Sequence, residues 1–219
     1  MGFPRSDFTR RPAQPFGIGL LFSLLLIGLC PTVAGATAKP QVLASIKPLA
    51  LIAQEVAGDL AVVETLLPVT ASAHDYPLKM SDHRRLQDAD LVLWVGPELE
   101  TFLARPLAKL PAQKIMTSYQ LAGLFWPEPV DHDHVHTSHD HHHGGRDPHI
   151  WLDPRNAGVI ARELAQRLGQ LAPAAAAQFI QNAERFSESL ANLDAQLIAQ
   201  LTPIRDQVLR FITRATAIL

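Results

Sequence analysis

The chain has 219 residues, of which 47% are hydrophobic, and its 19 Lys and Arg nearly balance its 21 Asp and Glu, for a formal net charge of −2 at pH 7. This balance, with no concentration of Lys and Arg on any evident face, argues against a protein that binds nucleic acid. Cys30 is the only cysteine, so disulfides cannot hold the fold and a packed hydrophobic core has to do so.

Residues 1–38 have the composition of a secretory signal peptide. Three arginines within the first 11 residues precede an apolar run over 16–30 that ends in small residues. The run is shorter than the about 20 apolar residues that a membrane span needs, which favours cleavage over anchoring. We predict cleavage after Ala38, with Ala36 as the second choice, and therefore export of a mature chain that lacks cysteine.

From residue 41 onward, short apolar runs alternate with stretches of helical pattern. The runs of strand length are 42–46, 61–67, 91–95 and the short 114–116. Between them we predict one helix that Pro48 opens and Gly58 ends, and a shorter helix capped by Ser81. Strands that alternate with helices predict an α/β fold with a largely parallel sheet and crossover helices.

The pattern after residue 153 is helical to the end of the chain. Asp153 and Pro154 suit the N-cap and first position of a helix that runs to about Leu171. A second helix is predicted to begin at Pro173, and its apolar residues fall on one stripe: Phe179, Phe186, Leu190, Leu193, Leu197 and Leu201. We therefore assign 39–172 to an N-terminal α/β lobe and 173–207 to a long linking helix.

Residues 131–145 are unusually rich in His, Asp and Gly. Val135 is the one apolar residue in this segment that could contribute to a core, so we predict a surface loop. Imidazole nitrogens bind zinc, copper and nickel, and each ion held by such a loop costs chain entropy. We therefore expect weak binding of several ions, as in an antenna or buffer. Its histidines are His132, His134, His136, His139, His141, His142 and His143.

A single tight metal site has to lie outside this loop. Ligands of parallel sheets bind at the carboxyl ends of strands, which makes the polar segment 69–80, after the second strand, a candidate. His74 lies in that segment, and His149 follows the His-rich loop. Either histidine alone is as compatible with a structural role as with metal ligation. His83, beside two arginines on the short helix, is interpreted as a solvated residue.

Four segments together resemble the periplasmic zinc-binding proteins of ABC importers, in a cluster that also contains manganese-binding members. They are 44–49 (ASIKPL), 73–76 (AHDY), 93–100 (LWVGPELE) and 147–154 (DPHIWLDP), and the likeness extends to about Gln207. The resemblance implies that His74 and His149 ligate zinc, with manganese less favoured. It also implies a monomeric, high-affinity zinc-binding subunit in the periplasm that delivers to an ABC permease and its ATPase in the inner membrane.

The chain departs from this family in two places. Some relatives have an acidic residue before the first histidine, where this chain has Ala73, so water or another group would complete the coordination. The family also continues into a second lobe that supplies a third histidine and an acidic ligand, whereas residues 208–219 diverge. In another reading frame 215–219 would encode a sequence found in that lobe. We therefore expect a truncated or frameshifted product with one wall of the cleft and a weaker site.

Three rival functions stay open at this stage. A zinc hydrolase could use Asp75 or Asp153 as a base, but the chain has no His-Glu-x-x-His motif, nucleophile elbow or phosphate loop, so we expect no enzyme. A periplasmic buffer would bind zinc through the loop alone. A manganese importer subunit is disfavoured by imidazole ligands.

Overall fold

The computed structural model describes residues 1–2, 38–126 and 146–204. The His-rich loop 131–145, the tail 208–219 and almost all of the predicted signal peptide therefore lie outside the described residues. By compactness the chain divides into Met1–Thr37 and Ala38–Leu219. The second unit contains every element described below.

Strands and helices alternate along the described part of this unit. The strands are β1 (Gln41–Ala44), β2 (Val62–Thr65), β3 (Leu91–Trp94) and β4 (Ile115–Thr117). The helices are α1 (Lys47–Ala57), α2 (Met80–Asp88), α3 (Thr101–Leu107), α4 (Pro154–Leu171) and α5 (Ala176–Leu201). The strands pair in parallel in the order β2-β1-β3-β4, which confirms the predicted α/β class.

The central strands and their helices follow from the apolar pattern. All four residues of β3 are buried, as expected for an inner strand of a parallel sheet covered on both faces. Helix α1 has Pro48 in its first turn and buries one face against the core. It ends at Gly58, whose φ of 51° is a conformation that glycine adopts without a steric penalty. Both predicted ends of this helix are confirmed.

The cap predicted for α2 is wrong. The helix begins at Met80 with Lys79 as its N-cap, two residues earlier than a Ser81 cap would give, so Ser81 lies inside its first turn. The start of the helix is instead fixed by Asp82, whose Oδ2 accepts the backbone N–H of Lys79 at 2.9 Å. A carboxylate at the third helical position accepts the N–H of the N-cap residue, one of the donors that the start of a helix leaves unpaired. Asp82 is 5% exposed and also accepts a hydrogen bond from the Tyr76 hydroxyl at 3.3 Å.

Helix α4 begins and ends where predicted, and α5 differs at its start. The Asp153 side chain caps α4 by accepting the backbone N–H of Arg155 at 2.8 Å. Pro173 opens a 3₁₀ turn rather than α5 itself, because Ala175, at φ −104° and ψ 1°, interrupts the α-helical hydrogen bonding.

Only the first half of the apolar stripe of α5 packs against the core. Phe179 is fully buried beside α1 and α4, whereas Leu193, Leu197 and Leu201 are all more than 40% exposed. The first half of α5 therefore belongs to the core, and the second half extends beyond it. None of the helices in the described ranges combines the length and apolar character required to cross a membrane.

Candidate metal centre

The structure brings together the two histidines that the sequence predicted as ligands. His74 lies in the loop between β2 and α2, and His149 lies just before α4. Their ring centroids are 5.7 Å apart with the planes inclined at 56°. A zinc ion bound to both rings at a tetrahedral angle, with Zn–N near 2.0–2.1 Å, would set the centroids roughly 5 Å apart. A small side-chain adjustment would be enough for the pair to hold one ion.

His74 projects from a loop that is anchored on both sides. Ala73 packs partly buried against the core, and Tyr76 meets the Phe102 ring edge-on at 6.0 Å besides bonding Asp82. The backbone N–H of His74 donates to Ser72 Oγ at 3.2 Å. The His74 imidazole is exposed to solvent, and the contacts of Ala73 and Tyr76 hold the backbone on either side of it in place.

His149 is oriented by a carboxylate two residues before it. Asp147 Oδ1 accepts the backbone N–H of His149 at 2.9 Å and lies 2.6 Å from its Nδ1. The Trp151 ring contacts the imidazole edge-on at 5.3 Å. A carboxylate on Nδ1 favours the tautomer that carries its proton there, which leaves the Nε2 lone pair for a metal ion. No role for Asp147 was predicted from the sequence, although it stands two residues before His149.

Further protein ligands are not present among the residues that the structure describes. Within those ranges, no group of three or more His, Cys, Asp or Glu side chains is placed to hold a metal ion together. A zinc ion on His74 and His149 alone would therefore keep open coordination positions, as in sites that exchange ligands. The seven histidines of 131–145 lie outside the described residues, so their contribution stays a prediction.

The residues on either side of the His-rich segment lie close together. The Arg146 guanidinium carbon is 4.9 Å from the centroid of the Trp126 ring, and the Tyr119 ring meets Trp126 edge-on at 5.0 Å. The Tyr119 hydroxyl donates to the backbone carbonyl of Arg146 at 3.0 Å. Nothing in the sequence pattern indicated this contact, because it joins residues whose proximity depends on the folded chain.

A second contact fixes the chain just before that segment. Asn156, buried at the start of α4, accepts the backbone N–H of Phe125 at 2.6 Å and donates to its carbonyl at 3.0 Å. The Arg155 guanidinium lies over the Phe125 ring at 3.3 Å. Residue 125 is thereby attached to the helix that follows His149.

A buried carboxyl lies at the same edge of the sheet. Glu100 is fully buried after β3, and burial raises its pKa from 4.5 to about 7, against the opposing effects of the Ser45 hydroxyl and the Val95 and Gly96 backbone. Its Oε2 accepts the Val95 N–H at 2.7 Å. Within the described ranges, neither Ser45 Oγ nor the second carboxyl oxygen of Glu100, Oε1, makes a hydrogen bond of good geometry.

The family described as ZnuA, zinc-uptake complex component A periplasmic, matches residues 42–218. The chain is 36% identical over 202 residues to the high-affinity zinc uptake system protein ZnuA of Haemophilus ducreyi, a match that covers 85% of this chain and 64% of that protein. It is 36% identical over 184 residues to the protein of the same name from Yersinia pestis, covering 77% and 58% respectively. The chain thus spans about three fifths of the length of these relatives.

Solved structures show the same fold. The metal-dependent lipoprotein YcdH of Bacillus subtilis superposes with a TM-score of 0.62 at 18% identity, over 75% of this chain and 56% of that one. Zn(II)-bound AdcA of Streptococcus pneumoniae gives 0.59 at 25% identity, over 75% and 33%. A Mn-bound periplasmic metal-binding protein of Candidatus Liberibacter asiaticus gives 0.56 at 26% identity, over 76% and 56%.

Proposed function

Because this chain belongs to the ZnuA family of periplasmic zinc-uptake components, as its four sequence motifs predicted, we propose that it captures zinc in the periplasm for an ABC-type importer. The observation that carries the proposal is the pairing of His74 and His149, with ring centroids 5.7 Å apart at the carboxyl edge of the sheet. The zinc ion is the cargo. The permease and its ATPase, to which it would be delivered, are partners that the family implies.

Capture would use two imidazoles in their neutral form. Asp147 holds His149 with Nδ1 toward the carboxylate, so that Nε2 is presented to the ion. His74 supplies a second nitrogen from a loop anchored by Ala73 and Tyr76. Water, or groups outside the described residues, would fill the remaining coordination positions. An ion held in this way stays exchangeable, which suits a protein that has to release it.

Zinc is favoured over manganese by the chemistry of the donors. Neutral imidazole nitrogens suit zinc, whereas manganese prefers carboxylate, carbonyl and water oxygens, and the affinity order of divalent ions also places manganese below zinc. The two relatives described above are named for zinc uptake, although one structural neighbour is a Mn-bound protein. We therefore propose zinc as the cargo of this chain.

We propose no catalytic activity. The family and its relatives are solute-binding components of an uptake system. Asp153, a candidate general base by its sequence position, accepts hydrogen bonds of 2.9 and 2.6 Å from the Arg155 side chain and caps α4. The side-chain hydrogen bond from Arg155 lowers the pKa of Asp153 below its ordinary value, which makes it a poor base.

The test separates the paired histidines from the His-rich loop. In what we call the loop-silent chain, the seven histidines of 131–145 are replaced by glutamine, which keeps the length of the segment. Zinc titration against a competing chelator should find one site in this chain, and His74→Ala or His149→Ala should each remove it. The matched control is His83→Ala on α2, which should bind zinc as the loop-silent chain does. If the loop-silent chain binds zinc no more tightly than its His149→Ala variant, the paired histidines do not form a site and the protein is at most a His-rich buffer.

A further inference from the structure

We propose that Tyr119, Trp126 and Arg146 form a clasp that positions His149 for metal binding. The metal-binding part of this inference rests on the proposed function, whereas the positioning of the imidazole does not.

The clasp begins at a residue fixed by the sheet. Tyr119 follows β4, and its backbone N–H donates to the carbonyl of Val95 at 2.8 Å, just after β3. From there its side chain reaches the backbone of Arg146 with a hydrogen bond of 3.0 Å. The location of residue 146 is thus tied to the carboxyl edge of the sheet.

The aromatic contacts hold the hydroxyl in place. The Tyr119 and Trp126 rings meet edge-on, a favoured geometry for aromatic pairs, and the Arg146 guanidinium lies against Trp126 within the distance of a cation–π contact. Partial burial and the nearby Glu98 carboxylate raise the pKa of the Tyr119 hydroxyl above its ordinary value. The hydroxyl therefore stays protonated near neutral pH and can donate.

The effect reaches the imidazole through Asp147. The carbonyl that Tyr119 holds belongs to the peptide bond between Arg146 and Asp147. The Asp147 carboxylate in turn contacts both the backbone and Nδ1 of His149. Release of the carbonyl would allow the 146–147 peptide to rotate, and the carboxylate would lose its fixed position beside Nδ1. If the clasp only joined the two sides of the His-rich segment, loss of the clasp would leave the His149 imidazole unaffected.

The experiment uses the full loop-silent chain, in which His74, His83 and His149 are the histidines that remain. Tyr119→Phe removes the hydroxyl and keeps the ring against Trp126. The control is Ser118→Ala, which removes a hydroxyl from the adjacent residue, where Ser118 donates to the Trp94 carbonyl at 2.9 Å without reaching residue 146. ¹⁵N chemical shifts of the imidazoles, assigned with His149→Ala, report the tautomer of His149 in the metal-free protein.

In the parent chain and in Ser118→Ala, His149 should carry its proton on Nδ1. In Tyr119→Phe the tautomers should become mixed, and zinc affinity should fall about two- to tenfold, the effect of one neutral hydrogen bond. An unchanged tautomer in Tyr119→Phe would overturn the clasp. If the parent binds no zinc, the proposed function fails while the tautomer measurement still decides the clasp. If the tautomers mix and zinc affinity stays equal to that of Ser118→Ala, the link from the clasp to metal binding is overturned.

Discussion

The carboxylate of Asp147 lies 2.6 Å from Nδ1 of His149 and also accepts the backbone N–H of the same residue. One side chain therefore fixes both the backbone and the imidazole of a proposed ligand. Carboxylate partners of this kind set the tautomer of a metal-binding histidine and make it a better donor.

Replacement of Asp147 by asparagine should weaken zinc binding. The amide retains an oxygen for the backbone N–H but no longer carries the charge that favours a proton on Nδ1. We expect the affinity of the loop-silent chain to fall about 10- to 100-fold. The same change of charge at Asp59, exposed in the turn between α1 and β2, is the control and should leave affinity unchanged. Equal affinities for Asp147→Asn and Asp59→Asn would contradict the role given to Asp147.

Glu100 should make stability depend on pH. Its pKa is raised to about 7 in the fold, so the folded chain binds more protons than the unfolded chain between about pH 4.5 and 7. The free energy of unfolding should therefore fall as pH rises through this window, by roughly 3 kcal/mol in total from this group.

Glu100→Gln should remove this loss, because a neutral amide resembles the protonated acid and still offers an oxygen to the Val95 N–H. Urea unfolding at about pH 5 and pH 8 should give a smaller difference in the variant than in the parent. The control is Glu184→Gln, at an exposed position of α5, which should keep the pH dependence of the parent. A parent chain whose stability does not decline over this window would rule out the raised pKa.

Asn156→Ala should destabilise the fold. It removes both hydrogen bonds to the backbone of Phe125 and leaves a partly buried N–H and carbonyl without those partners. We expect a loss of about 2–3 kcal/mol in the free energy of unfolding, measured with urea. Asn192→Ala, on the exposed part of α5, is the control and should change stability by less than about 0.5 kcal/mol. Similar losses in the two variants would mean that the contact with Phe125 contributes little.

The two halves of α5 should respond differently to alanine. Phe179 is fully buried, and Phe179→Ala should cost about 3–5 kcal/mol through lost burial and the cavity left behind. Leu193 is 48% exposed, and Leu193→Ala should cost less than about 1 kcal/mol. Thermal unfolding of both variants would measure the difference. A large loss in Leu193→Ala would show that the exposed half of α5 packs on something in solution.

The sequence predicted the features that depend on local pattern. The α/β class, the ends of α1 and the Asp153 cap follow from apolar periodicity and from the fixed backbone preferences of Pro and Gly. The cap predicted for α2 was wrong because Ser81 is a residue type that favours N-caps, whereas in the folded chain Lys79 is the N-cap and the Asp82 carboxylate accepts its N–H. His74 and His149 were identified as a pair through resemblance, since spacing alone does not show that two distant loops meet.

The clasp could not be predicted in the same way. Tyr119, Trp126 and Arg146 carry no periodic or motif signal, and their contacts arise because β4 and the start of α4 lie at the same edge of the sheet. Asp147 is an intermediate case. Its spacing to His149 was visible, but a role for the carboxylate requires the side-chain distance that the structure supplies.

The contact between Trp126 and Arg146 joins the two described residues that flank the segment 127–145. For a segment that connects two fixed points, doubling the number of residues costs only about 0.6 kcal/mol of chain entropy. We therefore expect that histidines can be gained or lost between residues 126 and 146 without changing the contacts that orient His149. The predicted ion-collecting capacity and the geometry of the proposed site would then evolve separately in one chain, and a transplanted insert of different composition should leave the paired histidines in place.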